Sequence, residues 1–280
     1  MTMKNNDRAF ELDALRGLSI FVMICHHLIW DIRYILGYTE LFKFEKGYFF
    51  NYVLQPLFLC CFILISGVCC TFSRNNLKRS LRLMIGALTL SLIMALASFV
   101  LLKLEMISDL KQEGLFVFFN ILHLLTVGTF LCYIVEKAES RSKRADSPPD
   151  PVMLNSPSSW TNSILIISAL ILFMAEPFVR KMSQRVDTYA FLPFGVLPES
   201  YISMGDYLPM VPWLGVFLVG MVLGRILYSG KMTLFPGAPL TLRRITRPFE
   251  WIGRHSLFVY LIHQPILLAI LFGGYYAGLW

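Results

Sequence analysis

Long apolar stretches recur along this chain and constrain its fold more than any other feature. A helix of about 20 apolar residues spans the hydrocarbon core of a bilayer. The chain is 56% hydrophobic and only 15% charged, whereas soluble domains carry about a quarter charged residues. We therefore predict an all-α, polytopic membrane helix bundle of about seven transmembrane helices, near residues 14–36, 48–72, 82–103, 114–135, 161–179, 209–229 and 255–277.

The pattern predicts a single transmembrane domain over residues 1–280, because no stretch has the composition of a soluble domain. Residues 137–160 are polar and rich in Pro and Ser, which is typical of a flexible loop. Residues 180–208 carry aromatics and prolines and are expected to be ordered on a membrane face. The first apolar stretch has a long polar lead-in and no small-residue cleavage site, so we expect a retained span.

The distribution of Lys and Arg predicts a cytoplasmic N-terminus. With this orientation, the N-terminal segment and the loops after spans 2, 4 and 6 hold 17 of the 25 basic residues, and the opposite side holds 8. Cytoplasmic loops are enriched in Lys and Arg. We therefore attribute the net charge of +7 to basic residues that orient the chain in the membrane. For this reason no nucleic-acid partner is expected.

The six cysteines all lie in apolar stretches, at Cys25, Cys60, Cys61, Cys69, Cys70 and Cys132. They form no CxxC pattern, which argues against a metal site or a disulfide framework. We interpret them as small residues that pack between helices.

One intramembrane motif places ionisable groups at helical spacing. It begins with DALRG at 13–17 and continues through His26 and His27 to Asp31. Arg16 and His27 are 11 residues apart, so they share one helix face, with His27 about 16 Å deeper along the axis. Asp31 follows one turn later on the same face. Ionisable groups inside a bilayer are costly and mark functional sites.

His27 is the predicted catalytic residue, because a neutral imidazole near the bilayer midplane is suited to general base catalysis. Asp31 can orient it and stabilise the imidazolium, as the carboxylate does in a Ser-His-Asp triad. The alternative is that Asp31 pairs with Arg33 or Lys46 near the outer surface. His26 points about 100° away from His27, so we expect it to pack or to support the site.

Two further histidines are predicted at a depth similar to that of His27. His123 lies about 13 Å from the outer end of span 4, and His263 about 12 Å from the inner end of span 7. The three histidines can meet in one polar cavity. The alternative is that His123 and His263 only form hydrogen bonds across helix interfaces.

Basic residues cluster at the cytoplasmic rim of the predicted bundle. Together with Arg16, which Asp13 is expected to hold in place, they can form an anion site for phosphates. The same residues can instead set topology and contact anionic lipid headgroups. The cluster comprises Arg74, Arg79 and Arg82 between spans 2 and 3, and Arg243, Arg244, Arg247 and Arg254 before span 7.

The outer face has a second candidate region in the segment GDYLPMVPW at 205–213. Asp206 can meet a polar or cationic substrate. Two prolines and Trp213 fix a bent entry into the sixth span at the interface. The alternative is that Trp213 and Tyr207 are ordinary interfacial anchors.

These motifs together resemble known membrane acyltransferases. The segment ELDALRGLSIFVMICHH resembles the first span of membrane acyltransferases, including the acyltransferase 3 family, in which an Arg and a His at this spacing mark the donor path and the catalytic site. The segments FILISGVCCTFSR, NILHLLTVG, DYLPMVPWLGVFLVGMVLGR and RHSLFVYLIHQP are similar to bacterial proteins related to the catalytic domain of heparan-alpha-glucosaminide N-acetyltransferase.

The resemblance implies transfer of an acetyl group from cytoplasmic acetyl-CoA to an acceptor on the far side of a bacterial plasma membrane. It implies that His27 is the catalytic histidine and that Arg16 lies near the donor. From the accessible side we expect a cell-envelope glycan, such as an amino sugar, or another small molecule as acceptor. His27 acts as a base or carries the acetyl group itself. No metal is expected, membrane lipids are expected partners, and related proteins suggest a homodimer.

Three rival interpretations follow from the same residues. A proton-coupled transporter would use His27 and Asp31 as a proton relay, although no inverted repeat is visible. A haem protein would need pairs of facing histidines at two depths. A non-catalytic membrane scaffold is the third.

Overall fold

The chain folds into helices and connecting segments. The computed structural model describes residues 9–103, 117–146, 158–183, 185–198 and 206–278, and no strand occurs among them. The α-helices there are α1 (Phe10–Trp30), α2 (Gln55–Val68), α3 (Asn76–Lys103), α4 (Ile121–Asp146), α5 (Ser159–Met182), α6 (Met210–Leu227), α7 (Leu240–Arg254) and α8 (Ser256–Tyr276). Short helical turns occupy Asp31–Ile35, Lys43–Lys46, Phe50–Leu54 and Tyr189–Phe194.

The all-α prediction is confirmed. Among the described residues, six helices are long and apolar enough to cross a membrane, namely α1 to α6 with their adjoining turns. The pair α7–α8, bent by 84°, raises the number to seven if it counts as one span. The cytoplasmic position of the N-terminus stays a prediction, as does the single domain.

The fourth helix starts later than the sequence pattern suggested. Residues 117–120 are not helical, and 114–116 lie outside the described residues. The Asn120 side-chain oxygen accepts hydrogen bonds from the backbone N–H groups of Leu122 (3.1 Å) and His123 (3.4 Å). Asn is a preferred N-cap residue for this reason. Capping therefore overrides the apolar pattern and starts the helix at Ile121.

Two polar segments differ from their sequence interpretation. α4 continues to Asp146, so the first residues of the predicted loop at 137–160 are helical, since their Lys, Glu, Ala and Arg are good helix formers. Residues 147–157 and 199–205 of the two predicted loops lie outside the described residues. The second difference is α7, a separate amphipathic helix that the span assignment did not include.

The described residues form two compact units, of which the first contains the residues up to Ile65 and those from Lys231 onward. Its α1 and α7 cross at two glycines. A Cβ on Gly17 would meet the carbonyl oxygen of Phe249, and a Cβ on Gly253 would meet the carbonyl oxygen of Asp13. Only glycine allows backbones to approach this closely.

The direction of α8 follows from its contacts with α1. Gly17 lies against Gly253, the penultimate residue of α7, just before α8 begins at Ser256, and His27 contacts His263 in the second turn of α8. The start of α8 therefore lies near Gly17 and its second turn lies beside His27, so α1 and α8 run in the same direction. A chain that crosses a membrane alternates direction, which makes a first and a seventh span parallel. The contacts therefore agree with α8 as the seventh crossing.

The second unit contains residues Ser66–Gly230. There α3 and α4 run antiparallel, because Asn76 donates to Glu136 (2.7 Å) while Ser80, one turn later, donates to the carbonyl of Thr126 (3.0 Å). A largely buried ion pair joins α4 to α6, where the buried Arg225 guanidinium donates to both oxygens of the partly exposed Glu139 carboxylate (2.5 and 3.1 Å).

A substitution tests the glycine crossing of the first unit. Gly17→Ala should lower the free energy of unfolding by about 1–3 kcal/mol, because the new methyl group would lie 2.9 Å from the backbone nitrogen of Gly253 and force the two helices apart. Urea or SDS titration of the purified protein measures this change.

Gly273→Ala is the matched control, because a Cβ at this helical glycine meets nothing within 4 Å. It should be neutral or stabilising by up to about 1 kcal/mol. Equal destabilisation by both substitutions would contradict the close crossing.

Candidate functional site

Two histidines from different helices meet in the first unit. His27 lies near the end of α1 and His263 in the second turn of α8. His27 Nδ1 and His263 Nε2 are 2.9 Å apart, and the rings stack with their centroids 5.0 Å apart. Of the three histidines predicted to converge, these two are in direct contact.

The hydrogen bonds determine which imidazole nitrogen of His27 is available. His263 Nδ1 lies 2.6 Å from the carbonyl oxygen of Tyr260, which can only accept, so Nδ1 of His263 carries the proton. A neutral His263 then accepts at Nε2 from the Nδ1–H of His27. The remaining nitrogen, Nε2 of a neutral His27, keeps its lone pair. This tautomer is the one that a general base requires.

Asp31 is bonded to the residue that follows His263. Its carboxylate is fully buried and accepts from Nε2 of Gln264 at both oxygens, at 3.0 and 3.1 Å. Two hydrogen-bonded pairs thus connect α1 and the turn that follows it to α8: His27 with His263, and Asp31 with Gln264. The sequence suggested that Asp31 orients His27. In the structure, His27 forms its hydrogen bond with His263 instead.

The basic residues suggested as alternative partners of Asp31 have other contacts. Arg33 is buried, lies 3.5 Å from Glu45 and donates to the carbonyl of Leu41 at 2.7 Å. The Lys46 ammonium lies over the ring of Tyr34, 5.5 Å from its centroid.

His26 contacts the aromatic ring of Phe50, with the ring centroids 5.4 Å apart. Its own ring centroid is 5.9 Å from that of His27. The side chain therefore packs beside the histidine pair.

The predicted rim residues of the first unit gather where α1 and α7 cross. Asp13 is buried and its backbone contacts Gly253, while Arg16 precedes Gly17 and Arg254 follows Gly253. The Arg254 guanidinium contacts Glu250, with 3.5 Å between Nη2 and the carboxylate. One crossing therefore brings Asp13, Arg16 and Arg254 to the same end of the unit.

Glu11, the residue at the start of ELDALRG, is a buried polar residue to which sequence reasoning gave no role. Its buried carboxylate accepts from the Thr233 hydroxyl (2.7 Å) and from the backbone N–H of Leu234 (2.9 Å). These bonds attach the segment before α7 to the first turn of α1.

In the second unit, His123 lies in the first turn of α4. Its Nδ1 is 2.9 Å from the Asn120 side-chain oxygen, and its ring stacks on Phe119 at 5.3 Å. The depth expected for His123 assumed a helix that began at 114, so its position three residues into α4 corrects that value.

The segment of Asp206 lies at the same end of the second unit. The Leu208 backbone N–H donates to the carbonyl of Phe119 at 3.4 Å, next to the ring that stacks on His123. Trp213 lies in the first turn of α6 and is half-buried. The structure thus brings His123 and the segments of Asp206 and Trp213 to one end of the unit.

The basic residues between α2 and α3 differ in exposure and in hydrogen bonding. Arg74 and Arg82 are exposed. Arg79 donates to the carbonyl of Ser66 at 3.2 Å and lies 3.7 Å from the sulfur of Cys70. Arg79 therefore caps the end of α2, since a cation near a helix C-terminus stabilises its last carbonyls.

Gln264 is the polar neighbour of the histidine pair that the sequence interpretation left without a role. The signal that could have found it is its position inside an apolar span, directly after His263. Polar side chains in such a span usually bond to another helix. The glycines at the crossing had a weaker signal, because glycine is frequent in membrane helices.

Among the residues that the structure describes, no group of three or more His, Cys, Asp or Glu side chains is arranged to hold a metal ion.

The sequence was compared with known protein families, with curated proteins and with solved structures. The sequence model of the family described as heparan-alpha-glucosaminide N-acetyltransferase, catalytic, matches residues 8–143 and 152–265. These ranges include both histidines of the pair and all the rim residues. Neither the curated proteins nor the solved structures contain a significant match. The chain thus belongs to the heparan-alpha-glucosaminide N-acetyltransferase catalytic-domain family, a family of transmembrane acetyltransferases.

Proposed function

We propose that this protein transfers an acetyl group from cytoplasmic acetyl-CoA to an acceptor on the extracytoplasmic side of a bacterial plasma membrane. The acceptor is an amino sugar or another cell-envelope glycan. His27 acts on the reacting groups near the middle of the bilayer, and Arg16 binds the donor at the rim. Family membership supports the reaction class.

The observation that carries the role of His27 is the hydrogen-bond series from His27 through His263 to the carbonyl of Tyr260. When the His27 imidazole is neutral, these hydrogen bonds leave its Nε2 as an acceptor. Asp31 lies one turn further on, in the helical turn that follows α1, so its buried carboxylate adds negative potential beside an imidazolium formed at His27. Gln264 holds that carboxylate in place.

Two routes use the same nitrogen. In the direct route, His27 Nε2 takes the proton of the acceptor amine or hydroxyl as the acceptor attacks the thioester carbonyl. The C–S bond then breaks, and the proton passes from the imidazolium to the departing thiolate of CoA. In the two-step route, Nε2 itself attacks the thioester, releases CoA and carries the acetyl group until the acceptor removes it.

The depth difference between Arg16 and His27 suits the donor. Both residues belong to the single helix α1, and 11 residues of helix correspond to about 16 Å. The charged nucleotide of acetyl-CoA can remain at the basic rim while its pantetheine arm extends inward to His27. In the first unit, Arg254 contributes positive charge at this rim. In the second unit, the exposed Arg74 and Arg82 are proposed as donor-binding residues because the predicted topology puts their loop on the cytoplasmic side, with Arg79 in a supporting position.

Residues that contact the acceptor are expected at the end of the second unit opposite to the one proposed for the donor. Asp206, Trp213 and His123 lie at the end of the second unit opposite to the α2–α3 connection. Under the predicted orientation this end is extracytoplasmic, so these residues are proposed to contact the acceptor.

Donor binding provides the first test. Purified wild-type protein should bind acetyl-CoA and hydrolyse it slowly, as followed by isothermal titration calorimetry and by release of the CoA thiol. Arg16→Ala should raise the Kd for acetyl-CoA by about 10- to 100-fold, because a hydrogen bond to a charged group contributes about 1.5–3 kcal/mol.

The matched control is Arg180→Ala, which removes an exposed arginine of α5 and should leave the Kd unchanged. Absence of any CoA-dependent binding by the wild type would overturn the donor assignment. Proton-coupled uptake into proteoliposomes would then favour the transporter interpretation.

A further inference from the structure

α7 differs in composition from the spanning helices. Its sequence, LTLRRITRPFEWIGR, contains four arginines and one glutamate among leucines, isoleucines and aromatic residues. It begins after Pro239 and ends one residue before α8, from which it is bent by 84°. Its 15 residues make it about 22 Å long.

The level of α7 relative to the membrane follows from its contacts with α1. Gly253, near the end of α7, lies against Gly17 in the second turn of α1. Further along α1, and past the bend into α8, His27 meets His263. The junction of α7 and α8 is therefore level with the second turn of α1, close to residue 14, where the predicted first span begins. Since α8 runs parallel to α1 and α7 is nearly perpendicular to α8, α7 lies along the membrane boundary.

The two sides of α7 have different surroundings. The side with Gly253 and Phe249 packs on α1, and the Phe249 ring makes an edge contact with Phe21. Arg244 lies about 180° around the helix from Gly253, and Arg247 about 120°. Both arginines are exposed, as is Ile245.

We propose that α7 is an interfacial helix whose Arg244 and Arg247 bind the headgroups of anionic lipids. A helix that lies in the interface has an apolar side, a basic side and aromatic anchors. The exposed side chains of Ile245 and Trp251 supply apolar contact with the acyl boundary and the headgroup region. Arginine binds phosphate groups strongly because its planar guanidinium donates two parallel hydrogen bonds.

The two exposed arginines are assigned to lipid rather than to the phosphates of CoA by their direction. They face away from α1, the helix that carries Arg16. The remaining arginines of α7 have partners within the first unit, since Arg243 lies over the ring of Phe10 at 4.8 Å and Arg254 contacts Glu250.

Lipid binding to the intact purified protein tests the proposal. Native mass spectrometry gives the relative affinities for phosphatidylglycerol and phosphatidylcholine. The wild type should prefer phosphatidylglycerol, and the double variant Arg244→Gln/Arg247→Gln should lose about 25-fold of its affinity for it, at about fivefold for each arginine. The double variant Arg180→Gln/Lys181→Gln, which removes an exposed basic pair at the end of α5, should retain the full preference.

A second measurement does not depend on charge. In phosphatidylcholine nanodiscs, lipids brominated near the headgroup should quench the fluorescence of the wild type more than that of Trp251→Phe. Equal quenching of both proteins would place α7 outside the interface and overturn the proposal. So would an unchanged phosphatidylglycerol preference in Arg244→Gln/Arg247→Gln. A loss of acetyl-CoA affinity with unchanged lipid preference would assign the arginines to the donor instead.

Discussion

Replacing His27 by Ala is expected to lower the rate of acetyl-CoA turnover by about 10³-fold while the Kd for acetyl-CoA changes little. The side chain removed is the one whose Nε2 lone pair is directed by the hydrogen bond to His263, and general base catalysis contributes about 10²- to 10⁴-fold. Thiol release under saturating acetyl-CoA measures the rate, and calorimetry measures the donor affinity.

Matched histidine variants separate this role from a general effect of substitution. His26→Ala removes the neighbouring ring, which packs on Phe50, and should cost far less. His255→Ala removes an exposed histidine at the end of α7 and should leave the rate unchanged. Loss of donor binding in His27→Ala, or equal loss of turnover in His26→Ala, would contradict the catalytic role of His27.

The partner histidine offers a finer comparison within the same prediction. His263→Leu removes the acceptor for the Nδ1–H of His27, so the imidazole is no longer fixed in one tautomer. His263→Gln retains an acceptor oxygen and should keep more of the activity. Both variants should change kcat more than the KM for acetyl-CoA, because His263 acts through His27. Trapping of an acetylated His27 by acid quenching in the absence of acceptor would favour the two-step route.

The second large effect is structural. Arg225→Met is expected to lower the free energy of unfolding by about 3 kcal/mol, because it leaves the largely buried carboxylate of Glu139 without its charged partner. Arg225 also donates from Nε to the side-chain oxygen of Asn162 at 2.7 Å, so the substitution disconnects α4, α5 and α6 at one point. SDS titration of the protein in mixed micelles measures the change.

An exposed ion pair serves as the control for Arg225. Arg180 pairs with Glu176 on the surface of α5, and Arg180→Met should change stability by less than about 1 kcal/mol. Addition of Glu139→Gln to Arg225→Met should recover part of the loss, because the buried charge is then removed. If Arg225→Met were as mild as Arg180→Met, the buried pair would not hold these helices together.

Much of the fold could be predicted from local pattern alone. The apolar stretches located the spanning helices, because a bilayer demands about 20 apolar residues in a helix. The placement of Arg16 and His27 on one helix followed from the period of 3.6 residues. α1 indeed contains both residues without a break. The start of α4 was misplaced because the cap at Asn120 depends on a single polar side chain within an apolar pattern.

What only the tertiary structure decided is the choice of partners. The spacing of His27 and Asp31 suggested that they act together, yet each bonds to a different residue of α8, His263 and Gln264. That choice depends on the register between two helices separated by more than 200 residues of sequence, which no local periodicity encodes. The crossing of α1 and α7 at Gly17 and Gly253 fixes where α8 begins beside α1, because only glycines let the two backbones approach so closely. The sequence by itself therefore determined which side chains lie in apolar helices and which of them share a helix face, because both follow from local pattern, and helix packing determined which of them meet.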